Sequence, residues 1–186
     1  MLHWLVAGLA AGVVALGWAM LAAPANTPTG DLWLLWHRSV GLVILAAMLF
    51  RLLWRWRHRP PPLPQSVPPS VAALAHASHL SLYAILIAMP LAGYVSAAAA
   101  GHAVSLFGLV SLPPLLPENL RLSQAAIAVH LAGQYLFYLL VLLHIAGALY
   151  HAILRGDGVF ERMLPFFWPT AVRAAGAIIP VRRRAR

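Results

Sequence analysis

The chain has 186 residues, 62% of them apolar and only 9% charged, with a mean hydropathy of +0.80; a soluble domain is about 45–50% apolar and 25% charged, so no water-soluble globule could hide this much apolar surface. The charges are thirteen Arg, no Lys, two Asp and two Glu, set against nine His. With no Cys, Fe–S clusters, thioether-linked haem, Cys-ligated zinc, thiol nucleophiles and disulfides are excluded, so any metal must be held by His, Met or oxygen.

Four stretches are long enough to cross a hydrocarbon layer about 30 Å thick, at about residues 2–21, 34–54, 71–95 and 125–154. The first ends at Pro24 and a turn over residues 26–30. The second runs into the Pro-rich segment 60–64, and the fourth into Arg155-Gly156-Asp157-Gly158. The first stretch has small residues after Leu21 where a signal peptidase could cut. It lacks a basic leader and is too long for a signal core, so it is read as a retained span. The connection over residues 96–123 is expected to carry a short interfacial segment and no further span.

Orientation follows from the Arg residues, which accumulate on cytoplasmic flanks. Arg51, Arg55, Arg57, Arg59, Arg155, Arg162, Arg173, Arg182, Arg183, Arg184 and Arg186 fall on one side, and only Arg38 and Arg121 on the other. Both termini are therefore expected in the cytoplasm. The net charge of +9 is a topology signal and not a nucleic-acid surface. Residues 166–186 read as a basic cytoplasmic tail on an anionic inner leaflet, following a four-span domain over residues 1–165.

Seven His lie in or beside the spans: His3, His37, His76, His79, His130, His144 and His151. An ionisable group in lipid marks a functional site by default, although a lone His can simply bond a neighbouring helix. His130 and His144 are 14 residues apart on one helix, within about 40° of one face and about 21 Å apart along its axis. Matching by depth pairs His37 with His130 and His3 with His144. Two imidazoles from facing helices suit low-spin haem b, which takes two axial ligands. Ala7, Gly41, Gly133 and Gly147 follow the four His by three or four residues and would leave room for a flat ring, or merely allow close packing. Arg38 at one level, and Arg51 and Arg55 about 21 and 27 Å along the helix from His37, would pair with propionates or serve as interfacial anchors.

At these residues the chain resembles the bacterial cytochrome b561 family, the small four-helix dihaem membrane cytochromes. The matching stretches are Leu2-His3-Trp4-Leu5, Trp36-His37-Arg38-Ser39-Val40-Gly41 leading to Arg51 and Arg55, His76-Ala77-Ser78-His79 with Tyr83 and Met89-Pro90, and His144 through His151 to Arg162-Met163-Leu164-Pro165. The resemblance implies an all-α membrane protein of the bacterial inner membrane, a four-transmembrane-helix bundle binding two haem b. It implies His3, His37, His130 and His144 as axial ligands and electron exchange with ubiquinone. The family usually carries about ten residues before the first-span His; here His3 is expected at a frayed helix start.

His76, His79 and Tyr83 share one helix face, and His151 lies two turns beyond His144. They are candidates for a quinone site that donates hydrogen bonds and relays protons. Arg38 and Arg121 are the only cations available to attract an anionic donor on the other side, where some relatives oxidise superoxide. The alternatives are an electron-carrying subunit serving a partner dehydrogenase or hydrogenase, and a haem-free bundle.

Overall fold

The computed structural model describes residues 2–24, 26–58, 64 and 66–164; the tail 166–186 lies outside them. Within the described residues four helices are long and apolar enough to cross a membrane: α1 (Leu2–Ala22), α2 (Pro28–Arg57), α3 (Pro69–Ala99) and α4 (Leu120–Leu149). Their apolar residues do not gather into one inward stripe. Leu21, Leu80 and Leu142 are among many large side chains left exposed, as befits helices whose outer solvent is lipid.

Local chemistry sets the helix ends. The Thr27 hydroxyl donates to Pro24 O at 2.8 Å and accepts from the Gly30 N–H at 3.2 Å, capping α2, and Pro28 sits in the first turn where its missing N–H costs nothing. Asp31 in the first turn and Arg55 and Arg57 in the last complement the helix dipole, so α2 outlasts its apolar stretch at both ends. Asn119 caps α4, its Oδ1 accepting from the Leu122 N–H at 3.0 Å.

The connection between α3 and α4 is a β-hairpin. Strands β1 (Val104–Leu106) and β2 (Val110–Leu112) pair antiparallel with Ser105 opposite Ser111. At the tip Leu109 N–H donates to Leu106 O at 2.9 Å, with φ of 53° at Phe107 and 75° at Gly108. Positive φ at both central residues matches the strand twist. Phe107 tolerates it because it is held: its N–H donates to Ser39 Oγ at 2.8 Å, and its ring lies edge-on to Trp36 at 5.2 Å. Ser39 is fully buried beneath the hairpin.

The helices are not packed evenly. α1 packs on α2, α2 on α3 and α3 on α4, whereas α4 meets α1 and α2 only sparsely. The tightest core, Val6, Ile44 and Met48 with Leu86 and Ile87 against it, belongs to α1, α2 and α3. A slot is left between α4 and the α1–α2 pair, bridged by the Trp18 Nε1–H bond to Tyr138 OH at 3.1 Å.

Beyond α4 the chain continues as a π-helical turn (Tyr150–Arg155), reverses at Gly156 with φ of 56°, and reaches a 3₁₀ turn (Glu161–Met163). Trp4 Nε1–H donates to Met163 O at 2.6 Å. The helix start carrying His3, expected to fray from its position, is thus tied to the last described turn of the chain.

Candidate functional site

Antiparallel neighbours bring the His residues to the two ends of the slot. At the hairpin end, His37 in the third turn of α2 faces His130 of α4, with ring centroids 6.0 Å apart. At the other end, where Arg51 and Arg55 lie, His3 of α1 faces His144 of α4, also at 6.0 Å. Two imidazoles bound trans to one metal ion have centroids about 6 Å apart, since each metal–nitrogen bond is about 2 Å and a ring nitrogen lies about 1 Å from its centroid. Both pairs fit an iron between them.

The ring tautomers fit as well. His37 Nδ1–H donates to Val13 O at 3.0 Å, and His130 Nδ1–H donates to Met89 O at 2.9 Å. With Nδ1 protonated, each ring presents the Nε2 lone pair as its ligand atom. Between them opens a cavity of about 210 Å³ lined by Gly17, Arg38, Gly41, Gly93 and Tyr138. Each pair offers two nitrogen donors, the number a low-spin haem takes, and among the described residues no group of three or more His, Cys, Asp or Glu is placed to hold a metal ion.

These are the features of a membrane-embedded haem protein, and comparison with known families agrees. The family model of prokaryotic cytochrome b561 matches residues 1–166. The chain belongs to the prokaryotic cytochrome b561 family. Among curated proteins, the chain is 32% identical over 163 residues to cytochrome b561 homolog 2 of Escherichia coli (strain K12), covering 87% of this chain and 86% of the relative. It is 30% identical over 166 residues to the probable superoxide oxidase CybB of Yersinia pestis, covering 88% and 92%. Cytochrome b561 homolog 1 of Escherichia coli (strain K12) is 26% identical over 168 residues, covering 88% and 93%. Family membership makes the chain a multi-pass bacterial membrane protein that transfers electrons across the membrane, with haem b as cofactor.

The other candidate site residues fall into distinct surroundings. Gly41 lines the cavity, and a Cβ on Gly147 would meet nothing within 4 Å. Gly133 differs: a Cβ there would come within 2.5 Å of Met89 Sδ, so this glycine closes α4 onto α3 and makes no room in the slot. Arg38 lines the cavity beside His37, while Arg121 is exposed on the first turn of α4. Arg51 and Arg55 stack over the Tyr83 ring, 5.4 and 5.7 Å from its centroid.

His79 and Tyr83 join the His3/His144 end, the His79 ring lying 5.4 Å from that of His144. His76 is exposed and turns back on its own helix, with Nδ1 2.6 Å from Ala72 O. His151 is buried and donates from Nδ1 to Asp157 Oδ2 at 2.8 Å; the same oxygen accepts from Arg155 Nε at 3.0 Å. Arg155 also reaches Ser66 O, fastening this turn to the start of α3. Burial pushes the Asp157 carboxyl up, but the hydrogen bonds from His151, Arg155 and the Val159 N–H outweigh it and hold its pKa below the ordinary 3.8.

The residues that sequence reasoning missed act through backbone or absence. The Val13 and Met89 carbonyls carry no side-chain signature, and Gly17 on α1 faces His37 of α2 while Gly93 on α3 faces His130 of α4, so spacing along the helix of the facing imidazole does not reach them.

Proposed function

We propose that this cytochrome carries electrons across the bacterial inner membrane through two b haems, one between His37 and His130 and one between His3 and His144, from a periplasmic one-electron donor to ubiquinone. The observation that carries it is the recurrence of the 6.0 Å imidazole pair at both ends of one slot, with α4 supplying a ring to each. The His130 and His144 positions are about 21 Å apart along that helix, most of the way across the hydrocarbon layer. Bound haem would supply a one-electron iron couple at each depth.

The Arg-rich end with both termini faces the cytoplasm, and the hairpin faces the periplasm. Superoxide is the favoured donor: each anion gives up one electron and leaves as O₂, and the cationic Arg38 beside His37, with Arg121, would draw it in. The naming of one relative as a probable superoxide oxidase supports this choice. At the cytoplasmic end ubiquinone takes up two electrons and two protons. His79 and Tyr83 would donate hydrogen bonds to its carbonyls, and His151, oriented by Asp157, would pass protons inward from water.

A pyridine haemochrome assay on the purified protein tests this reading. It expects two b-type haems per chain. A b-type spectrum at one per chain, or none, contradicts it; two haems with no reduction by superoxide would replace the donor with a partner protein.

A further inference from the structure

The two imidazole pairs are alike in spacing and unlike in support. At the hairpin end each ring is tied to a backbone carbonyl, Val13 O for His37 and Met89 O for His130. At the other end, among the described residues, neither His3 nor His144 makes a ring hydrogen bond; each meets other rings instead, His144 those of His3 and His79.

Both carbonyl contacts use the same local device. In a helix the carbonyl of residue i accepts from the N–H of i+4, and the side chain at i+4 leans back over that carbonyl. Four residues after Val13 stands Gly17, and four after Met89 stands Gly93. A Cβ on Gly17 would lie 3.3 Å from His37 Cε1, and one on Gly93 would lie 3.5 Å from the same atom of His130. With no side chain in the way, each imidazole lies across its glycine and reaches the carbonyl beyond.

A ligand N–H held by a carbonyl makes the imidazole more electron-rich, which favours the oxidised metal. The rings at the other end lack that hydrogen bond; an arginine lies near each end, Arg38 beside His37 and Arg51 over Tyr83, so the ring-to-carbonyl bonds are what set the two ends apart.

We propose that Gly17 and Gly93 are positioning residues for redox poise: by laying His37 and His130 on the Val13 and Met89 carbonyls, they set the midpoint potential at the hairpin end below that at the Arg-rich end. Electrons arriving at the hairpin face then run downhill toward the other. This rests on the four His being the axial ligands, as proposed above.

The test is a potentiometric titration of the detergent-purified holoprotein, followed by absorbance and by the electron paramagnetic resonance of the oxidised state. Gly17→Ala and Gly93→Ala should each raise the lower midpoint by roughly tenfold in the redox equilibrium, about 59 mV for one electron, and leave the higher one in place. Gly12→Ala, where a Cβ meets nothing within 4 Å, should move neither. Either folded variant suffices, because the two glycines act on different rings from different helices. A lower midpoint unmoved in both variants, or a shift confined to the higher one, overturns the proposal. His37→Ala separates this from failure of the ligand assignment: loss of the lower-potential component upholds the ligand and leaves the glycines on trial, loss of the higher one upholds the ligand and overturns the poise, and retention of both overturns the ligand and the proposal with it.

Discussion

His37 and His130 face each other across the slot with ring centroids 6.0 Å apart, one from α2 and one from α4, two helices that otherwise meet only sparsely. A cofactor between them would therefore be part of the packing as well as of the chemistry. His37→Ala or His130→Ala should each remove half of the bound haem, and His3→Ala or His144→Ala the other half. Haem per chain from the pyridine haemochrome spectrum checks this, and full haem content in any of the four refutes that ligand.

Trp4 secures the His3 end through its Nε1–H bond to Met163 O. Trp4→Phe keeps the ring and removes the donor, at a cost of about 1 kcal/mol. The expected result is faster loss of one haem on mild heating, with the His37/His130 spectrum retained. Equal loss from both sites would show that the link does not hold the α1 start.

Ser39 lies beneath the hairpin, accepting from Phe107 N–H at 2.8 Å and within donating reach of Leu35 O at 2.7 Å and Ser105 O at 3.2 Å. Ser39→Ala leaves the half-buried Phe107 N–H without its acceptor, a loss of about 1 kcal/mol. Faster hydrogen exchange at Phe107 and the strand amides is expected, with the α3 and α4 amides unchanged. Unaltered hairpin protection would mean that the Phe107–Trp36 ring contact alone anchors the tip.

The Asp157 carboxyl gives a pH signature. Its folded pKa lies below the ordinary 3.8, so its contribution to stability is present above that value and is lost as pH falls through the folded pKa. Asp157→Asn should lower stability at neutral pH and flatten the acid limb below about pH 4. Thermal unfolding across pH 3–7 in detergent measures both; parallel curves for the two proteins would remove Asp157 from the account.

Arg38 lines the cavity beside His37. Arg38→Gln should slow haem reduction by superoxide by about tenfold and flatten its dependence on ionic strength, since steering of an anion is screened by salt. Reduction by a neutral donor should be unaffected. An unchanged salt dependence would mean that superoxide enters elsewhere.

Much of this was legible in the residues themselves. The four spans follow from hydropathy, and the facing His pairs follow from depth because an antiparallel bundle brings residues of equal depth together. The hairpin was missed because Leu106-Phe107-Gly108-Leu109 needs a positive φ at Phe107, which only the buried Ser39 and the Trp36 ring make tolerable. Gly133 was misread because its spacing from His130 is that of a ring-clearing residue, while its neighbour across the interface, Met89, belongs to another helix. His76 and His79 are three residues apart on one face, yet only His79 meets His144, since one turn of helix carries His76 out into the exposed region.

The most direct test of the central claim is quinol formation in liposomes holding the protein and ubiquinone, with superoxide generated on the hairpin side alone. The account predicts that quinol accumulates with wild-type protein, with haem reduction preceding it in stopped-flow absorbance. It predicts that His37→Ala and His144→Ala each abolish accumulation while the remaining haem stays spectroscopically intact. Quinol forming at the wild-type rate in His144→Ala would contradict a path through both ends of the slot.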